Sequence, residues 1–167
     1  FTIVFSSSAT IYKASSKFIK EDFEKEPINP YGQTKLTIEK MLNNLYESDK
    51  EKWKVINLRY FNPIGAHYSG IIGESPLGKP NNIFPIIGKV AMGLIIKLSI
   101  FGNDWPTRDG TCIRDYIHVM DLAEGHVKAL NFLLENNPCF IDINLGTGKG
   151  TTVLELVRAF QKSNQIK

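Results

Sequence analysis

Apolar side chains along the chain alternate between short runs and stripes at helical spacing. Thr2 to Phe5 is a short apolar, β-branched run, the pattern of a strand buried on both faces of a parallel sheet. Ser6, Ser7 and Ser8 follow at its carboxyl end, where open α/β sheets bind their ligands. Residues 13–28 are charged and loop-like and close on Pro27 and Ile28. Asn29-Pro30 then predicts a helix start, because Asn caps well and Pro lacks only an N–H that would have no partner there. That helix is predicted to run to about Tyr46, with Leu36, Ile38, Met41, Leu42 and Leu45 as its apolar stripe. Val55 to Phe61 reads as the next strand, closed by Asn62-Pro63. The β-α-β order implies a right-handed crossover and a parallel sheet.

Residues 62–82 are rich in Gly, Pro and Asn and long for a connection, which predicts a binding loop. A helix over Phe84 to Gly93, a strand over Lys97 to Phe101 and a turn-rich hairpin over Gly102 to Gly110 follow. Tyr116 to Met120 reads as a short strand, and Asp121 to Leu134 as a helix with Asp121 and Glu124 at capping-box spacing. Ile141 to Leu145 is a further strand, and Thr152 with Glu155 opens a last helix through about Phe160. Gly146-Thr147-Gly148-Lys149-Gly150 lies between strand and helix, the setting of a phosphate-binding turn. Its spacing is not G-x-G-x-x-G, so a packing turn near a binding pocket is expected instead.

Composition narrows the function classes. The 167 residues are 43% hydrophobic and 22% charged, ordinary for one globular domain with a real core. The net charge of +3 comes from scattered lysines beside acids, not from the clustered basic residues of a nucleic-acid footprint. No apolar run approaches the ~20 residues that span a bilayer. Cys112 and Cys139 suit neither a disulfide framework nor a metal site and read as free thiols in a reducing, cytoplasmic compartment. His67, His118 and His126 fit no metal-ligand spacing, so no metal is expected. Phe1 lies inside an apolar run, which leads to the expectation that residues upstream are missing.

Candidate chemistry sits on the first helix. Tyr31 and Lys35 are four residues apart and share one face. A phenol titrates near pH ~10 and needs a stabilised phenolate to act as a base at neutral pH. An ammonium one turn away provides that stabilisation where the pair is partly desolvated. A hydroxyl such as that of Ser8 could complete a proton path to a substrate alcohol. Tyr-x-x-x-Lys alone is weak, since a solvated helix face with one packed Tyr gives the same letters. The context adds to it: a buried strand ending in serines, a polar loop, then Asn29-Pro30-Tyr31-Gly32-Gln33-Thr34-Lys35. That arrangement resembles the extended short-chain dehydrogenase/reductase family.

Longer motifs sharpen the resemblance. Arg59-Tyr60-Phe61-Asn62-Pro63-Ile64-Gly65-Ala66-His67 is similar to the R-Y-F-N-P-x-G-A-H stretch of UDP-glucose 4-epimerases. Pro80-Asn81-Asn82, Phe101-Gly102-Asn103-Asp104, Asp109-Gly110-Thr111, the run from Arg114 to Ala123 and Asn144-Leu145-Gly146-Thr147-Gly148 resemble the same family in the same order. The resemblance implies an α/β fold, part of a Rossmann-like doubly wound parallel sheet with a smaller C-terminal substrate-binding α/β region. Residues 1–62 would be the C-terminal part of an NAD-binding domain, and 63–167 mostly a nucleotide-sugar-binding region with segments returning to the sheet. It covers about half a family member, so the glycine-rich N-terminal half and the C-terminal end are expected to be absent. The piece alone is expected to be inactive and poorly folded.

The resemblance further implies NAD as cofactor and interconversion of UDP-glucose and UDP-galactose, as in galactose metabolism. A Tyr phenolate takes the proton of the sugar 4-hydroxyl while C4 gives a hydride to NAD, and the 4-keto sugar takes it back on its other face. Carried over, Tyr31 is the base, Lys35 lowers its pKa and binds the nicotinamide ribose, and Ser8 bridges Tyr31 and the sugar. Tyr60 and Phe61 would lie on the cofactor side. Asn62 and Asn82 would hold the UDP-hexose, Ser99 and Phe101 would line the uracil pocket, and Arg114 would meet the diphosphate. Phe61 and Phe101 could equally be core aromatics, Asn82 a helix cap, and Arg114 half of a surface ion pair with Asp115. Members are commonly homodimers packing helices that include the one bearing Tyr31.

Two departures stand out: Lys13 where the family usually has Gly, and Arg108 where an acid is common. Competing functions are a 4,6-dehydratase, a UDP-glucuronate decarboxylase, an inactive fragment and a sugar-nucleotide-binding protein without turnover. Dehydratases place Asp-Glu where this chain has Ala9-Thr10.

Overall fold

The computed structural model describes residues 1–15, 18–78 and 80–166. The expected loops over 13–28 and 62–82 include residues 16, 17 and 79, which lie outside the described residues.

The first sheet is parallel. β1 (Thr2–Ser8), β2 (Lys54–Tyr60) and β5 (Phe140–Leu145) lie in the order β1-β2-β5, with both pairings parallel. β1 runs through all three serines, so Ser8 is part of the ladder, opposite Tyr60. A 3-10 turn over Ala9–Ile11 leaves its end, capped by the Ser8 side chain, which accepts from the Thr10 N–H. α1 (Pro30–Ser48) makes the crossover to β2, and Asn29 caps it by accepting from the Gly32 N–H. Gly32 is needed for a close approach: a Cβ there would lie 2.5 Å from the Thr10 carbonyl oxygen and 2.9 Å from Pro27 Cβ. The start of α1 is thereby seated directly on the turn that follows Ser8.

The two faces of this sheet differ in chemistry. Ile56 and Leu58 of β2 pack with Ala129 and Leu133 of α3 (Val119–Glu135), flanked by Val4, Ile141, Ile143 and Leu145. The alternate residues of β2, Asn57 and Arg59, are fully buried on the other face, with Ser7 beside them. α1 meets that face with Glu39, which is 3% exposed. Its predicted apolar stripe is only half right, because Leu36 and Leu42 are buried while Ile38, Met41 and Leu45 are exposed. The exposed three share an outer side of the helix, and the buried place between Leu36 and Leu42 belongs to a carboxylate.

The second sheet holds three short strands in the order β3-β4-β6: β3 (Asn62–Ile64), β4 (Ile113–His118) and β6 (Gly150–Thr152). β3 runs parallel to β4, and β6 antiparallel to it. Pro63 is compatible with β3 because this strand has one partner only and lies at the sheet edge. α2 (Ile83–Ala91) and α4 (Val153–Asn164) complete the fold. The capping box of α4 is formed, with Thr152 accepting from the Glu155 N–H and Glu155 accepting from the Thr152 N–H.

Three expectations are corrected. No strand forms over Lys97 to Phe101, where Ile100 is exposed and Phe101 is 87% exposed; an apolar run without a partner strand has no ladder to join. Gly102 to Gly110 is a turn closed by Trp105 N–H to Gly110 C=O, not a strand hairpin. α3 begins before Asp121, and its cap is His118, whose Nδ1 accepts from the Met120 N–H. Asp121 falls in the first turn, where a negative charge favours the helix dipole. No described helix is long and apolar enough to cross a membrane.

Candidate functional site

The carboxyl ends of β1 and β2 meet the first turns of α1. Lys35 is half-buried there, and its Nζ donates to the Ser6 carbonyl oxygen at 2.9 Å. The same ammonium lies 5.1 Å from the Phe5 ring centroid and 5.5 Å from that of Tyr31. Tyr31 is 51% exposed, and its phenol has no hydrogen-bond partner among the described residues, so the oxygen is open to a ligand. Ser8 is 5% exposed. Its Oγ accepts from the Thr10 N–H at 3.2 Å and from the Thr10 Oγ1–H at 3.0 Å. Both lone pairs of that hydroxyl are engaged, which leaves its own proton to be donated outward.

Tyr60, half-buried, ends β2 opposite Ser8, and its ring lies 6.1 Å from that of His126. Phe61 is half-buried, its N–H donates to the Leu145 carbonyl, and its ring fills the space where a Cβ on Gly146 would fall. Asn62 is exposed at the start of β3. The structure thus gathers Ser8, Tyr31, Lys35, Tyr60 and Phe61 around one end of the parallel sheet.

The remaining predicted residues lie apart from that group. Asn82 precedes α2 but makes no side-chain cap; its amide donates to Glu74 at 3.1 Å. Ser99 is exposed, and Phe101, 87% exposed, is no core aromatic. Arg114 is exposed and donates to its neighbour's carbonyl, Ile113 O. It forms no ion pair with Asp115. Among the described residues, no hydrogen bond, ion pair or ring contact joins Asn82, Ser99, Phe101 or Arg114 to Ser8, Tyr31 or Lys35.

Asp115 has another task. Its carboxylate accepts from the Thr147 N–H, the Thr147 hydroxyl and the Gly148 N–H. The Thr147 and Gly148 amides of this turn are therefore taken by the chain's own anion, which occupies the place a phosphate would need. The departures from the family pattern are also accommodated. Lys13 keeps out of the left-handed region; its N–H donates to the Glu24 carbonyl and its ammonium pairs with Glu24 and Glu26. Arg108 pairs with Glu155 and donates to the Gly150 carbonyl. That hydrogen-bonded guanidinium is the first cause of a Glu155 carboxyl held down at about 2.

Arg59 is the residue that sequence reasoning missed, since it is quoted above only as a letter of a motif. It is fully buried, with Nε donating to Glu39 Oε1 at 2.9 Å and Nη2 to Glu39 Oε2 at 2.8 Å. It also donates to the Tyr12 hydroxyl, the Glu21 carbonyl oxygen and the Asp142 carboxylate. Burial works against its charge, and the Glu39, Tyr12 and Asp142 contacts outweigh it, so the guanidinium pKa is raised. For Tyr12, burial dominates and raises the phenol despite Arg59. An Arg amid a run of β-branched and apolar residues was the available signal, because a charge in a doubly covered strand must be paired.

Residues 1–146 match the NAD dependent epimerase/dehydratase family. The chain is 58% identical over 161 residues to the UDP-glucose 4-epimerase of Bacillus subtilis (strain 168), covering 96% of this chain and 47% of that protein. It is 52% identical over 168 residues to a bifunctional UDP-glucose 4-epimerase and UDP-xylose 4-epimerase of Pisum sativum, covering 99% and 47%. Among solved structures, a UDP-glucose 4-epimerase from Stenotrophomonas maltophila with bound NAD and formylated UDP-arabinopyranose superposes with a TM-score of 0.94 at 46% identity. That match covers 99% of this chain and 49% of the other. One from Bifidobacterium longum in complex with NAD+ and UDP gives 0.92 at 42% identity, with the same coverage of 99% and 49%. The chain spans about half the length of these proteins.

Proposed function

The chain belongs to the NAD dependent epimerase/dehydratase family, and from that premise we propose that the protein carrying it is an NAD-dependent UDP-glucose 4-epimerase. The observation that carries this reading is the seat of Lys35, held between the Ser6 carbonyl and the Tyr31 ring at the open end of β1. Residues 1–62 then belong to the cofactor domain, and most of 63–167 to the nucleotide-sugar region, with β5 returning to the first sheet.

The donor set suits the nicotinamide end of a dinucleotide. Lys35 gives one N–H to Ser6 and keeps two for a ribose hydroxyl or a phenolate. Tyr60 and Phe61 lie at the same end of the sheet. Bound NAD would supply the hydride acceptor and donor for the sugar C4. The chain's own part is proton transfer. Tyr31, with the Lys35 ammonium one helical turn away, takes the proton from the sugar 4-hydroxyl and returns it after the sugar has turned over. Ser8, with both lone pairs held by Thr10, donates its proton toward the same oxygens and fixes the geometry between phenol and sugar.

Asn62, Asn82, Ser99, Phe101 and Arg114 bind the UDP-hexose in this reading. Their exposure supports it: Phe101 offers a free aromatic face, and Arg114 keeps most of its N–H groups available for a diphosphate. Cys112 and Cys139, both free and half-buried, favour a reducing compartment such as the cytoplasm. The exposed Ile38, Met41 and Leu45 on the outer side of α1 favour a homodimer built on that helix.

The test uses the whole protein that carries this chain. It is expected to release NAD on denaturation and to convert UDP-galactose to UDP-glucose. Tyr31→Phe is expected to keep the NAD and lower kcat by about 10²–10⁴-fold, the usual reach of a positioned acid–base. NAD without conversion would leave the fold and remove the substrate; dehydratase and decarboxylase substrates come next. Neither NAD nor conversion would favour a sugar-nucleotide-binding protein.

A further inference from the structure

We propose that the buried Arg59–Glu39 pair is a positioning device that sets the rotation of α1 and so holds Lys35 and Tyr31 against the carboxyl end of β1. The proposal rests on the proton-transfer reading of those two residues.

Glu39 follows Lys35 by four residues and Tyr31 by eight, so all three lie along one side of α1. Lys35 reaches the Ser6 carbonyl near the end of β1, and Glu39 reaches into the polar face behind it. Both Glu39 oxygens are gripped by Arg59 of β2, at 2.9 and 2.8 Å, and the Ser7 hydroxyl of β1 donates to Oε1 at 2.5 Å. The carboxylate is thus fixed by two neighbouring strands at once. A bidentate guanidinium–carboxylate contact constrains direction as well as distance. Ser7 lies next in the chain to Ser6, whose carbonyl receives Lys35.

Apolar packing holds the first turns of α1, where Leu36 meets Ile11 and Tyr12, and constrains direction less than a forked charge contact. Leu36 and Leu42 are the buried apolar side chains of α1, six residues apart, whereas Ile38, Met41 and Leu45 are exposed. A greasy contact tolerates some rotation, whereas the two Arg59 bonds do not. Rotation of α1 about its axis would swing Lys35 away from the Ser6 carbonyl and carry Tyr31 with it. Arg59 is itself fixed from other sides by Tyr12, the Glu21 carbonyl and Asp142, so it serves as an anchor.

The test takes Glu39→Gln and Arg59→Lys in the whole protein, with two readouts. Glu39→Gln keeps the size but loses the charged grip; Arg59→Lys keeps the charge but loses the fork. The first readout is turnover of UDP-galactose. A drop in kcat of about ten- to a hundredfold with KM within twofold is expected, the scale of an ångström-level misplacement. The second is competitive acetylation of lysine amines at a limiting dose, read by mass spectrometry. Lys35 is expected to label several-fold faster than in the unsubstituted protein, with Lys40 and Lys50 unchanged. Unchanged Lys35 labelling, or a rise shared equally by all lysines, would overturn the proposal. Should Glu39→Gln not fold, Arg59→Lys carries the same readouts. Because labelling needs no turnover, it decides the positioning role even if the unsubstituted protein leaves UDP-galactose untouched.

Discussion

Single residues decide the site through where they stop, not only through what they carry. Gly32 lies between Asn29 and Lys35, and its missing side chain lets α1 rest on the Thr10 carbonyl. Gly32→Ala would push a methyl group against backbone, which cannot rotate away. We expect a loss of about 1–3 kcal/mol in denaturant titration, with reduced turnover in the whole protein, as for other overpacked positions. Arg108 makes a second case. Its guanidinium holds the Glu155 carboxyl down at about 2, against 4.5 for an unperturbed group. A depressed carboxylate stabilises the fold above its unfolded value, and that contribution fades as pH falls from about 4.5 toward 2. Arg108→Ala is therefore expected to move the Glu155 carboxyl ¹³C titration upward and to flatten the acid loss of Tm over that window. An unmoved titration would show that Arg108 is not the cause.

At the scale of elements, the sequence was most readable where one period ran long enough. α1, α4 and the three strands of the parallel sheet were legible, as were the Asn29 cap and the Thr152–Glu155 box. β3 and β6 were not, because three residues carry no period and their pairing is set by β4. The strand expected over Lys97 to Phe101 failed for the opposite reason: the composition was there and the partner was not. Spacing and motif nominated Tyr31, Lys35 and Ser8, which the structure brings to one end of the sheet, whereas Arg59 and Glu39 were not singled out. Nothing in a linear sequence says that a charged residue in a strand and another on a helix 20 positions earlier will be buried together. Packing on the apolar side is simpler to forecast. Leu133 is fully buried against Ile56 and Leu58, and Leu133→Ala is expected to cost about 2–5 kcal/mol, read from the denaturant midpoint.

Across the whole molecule, the parallel sheet separates two kinds of cohesion. On the α3 side, stability comes from apolar area removed from water and is spread over many contacts. On the α1 side a small apolar cluster of Ile11, Tyr12 and Leu36 is joined by a few buried charged groups, and breaking a buried ion pair typically costs about 3–5 kcal/mol. In the reading proposed above, the position of Tyr31 and Lys35 depends on the second side. A drift of side chains on the first side leaves the reading of Tyr31 and Lys35 untouched.

That division bears on how the protein can change over generations. Ile56, Leu58 or Leu133 can be exchanged stepwise among aliphatic residues, each intermediate remaining viable. Arg59 and Glu39 are less free, since exchanging either strips hydrogen bonds from a buried charged group. In a saturation library, tolerated variants should therefore be single changes on the α3 side and linked doubles on the α1 side. One β-sheet would then carry two mutational tempos, gradual on one surface and constrained on the other.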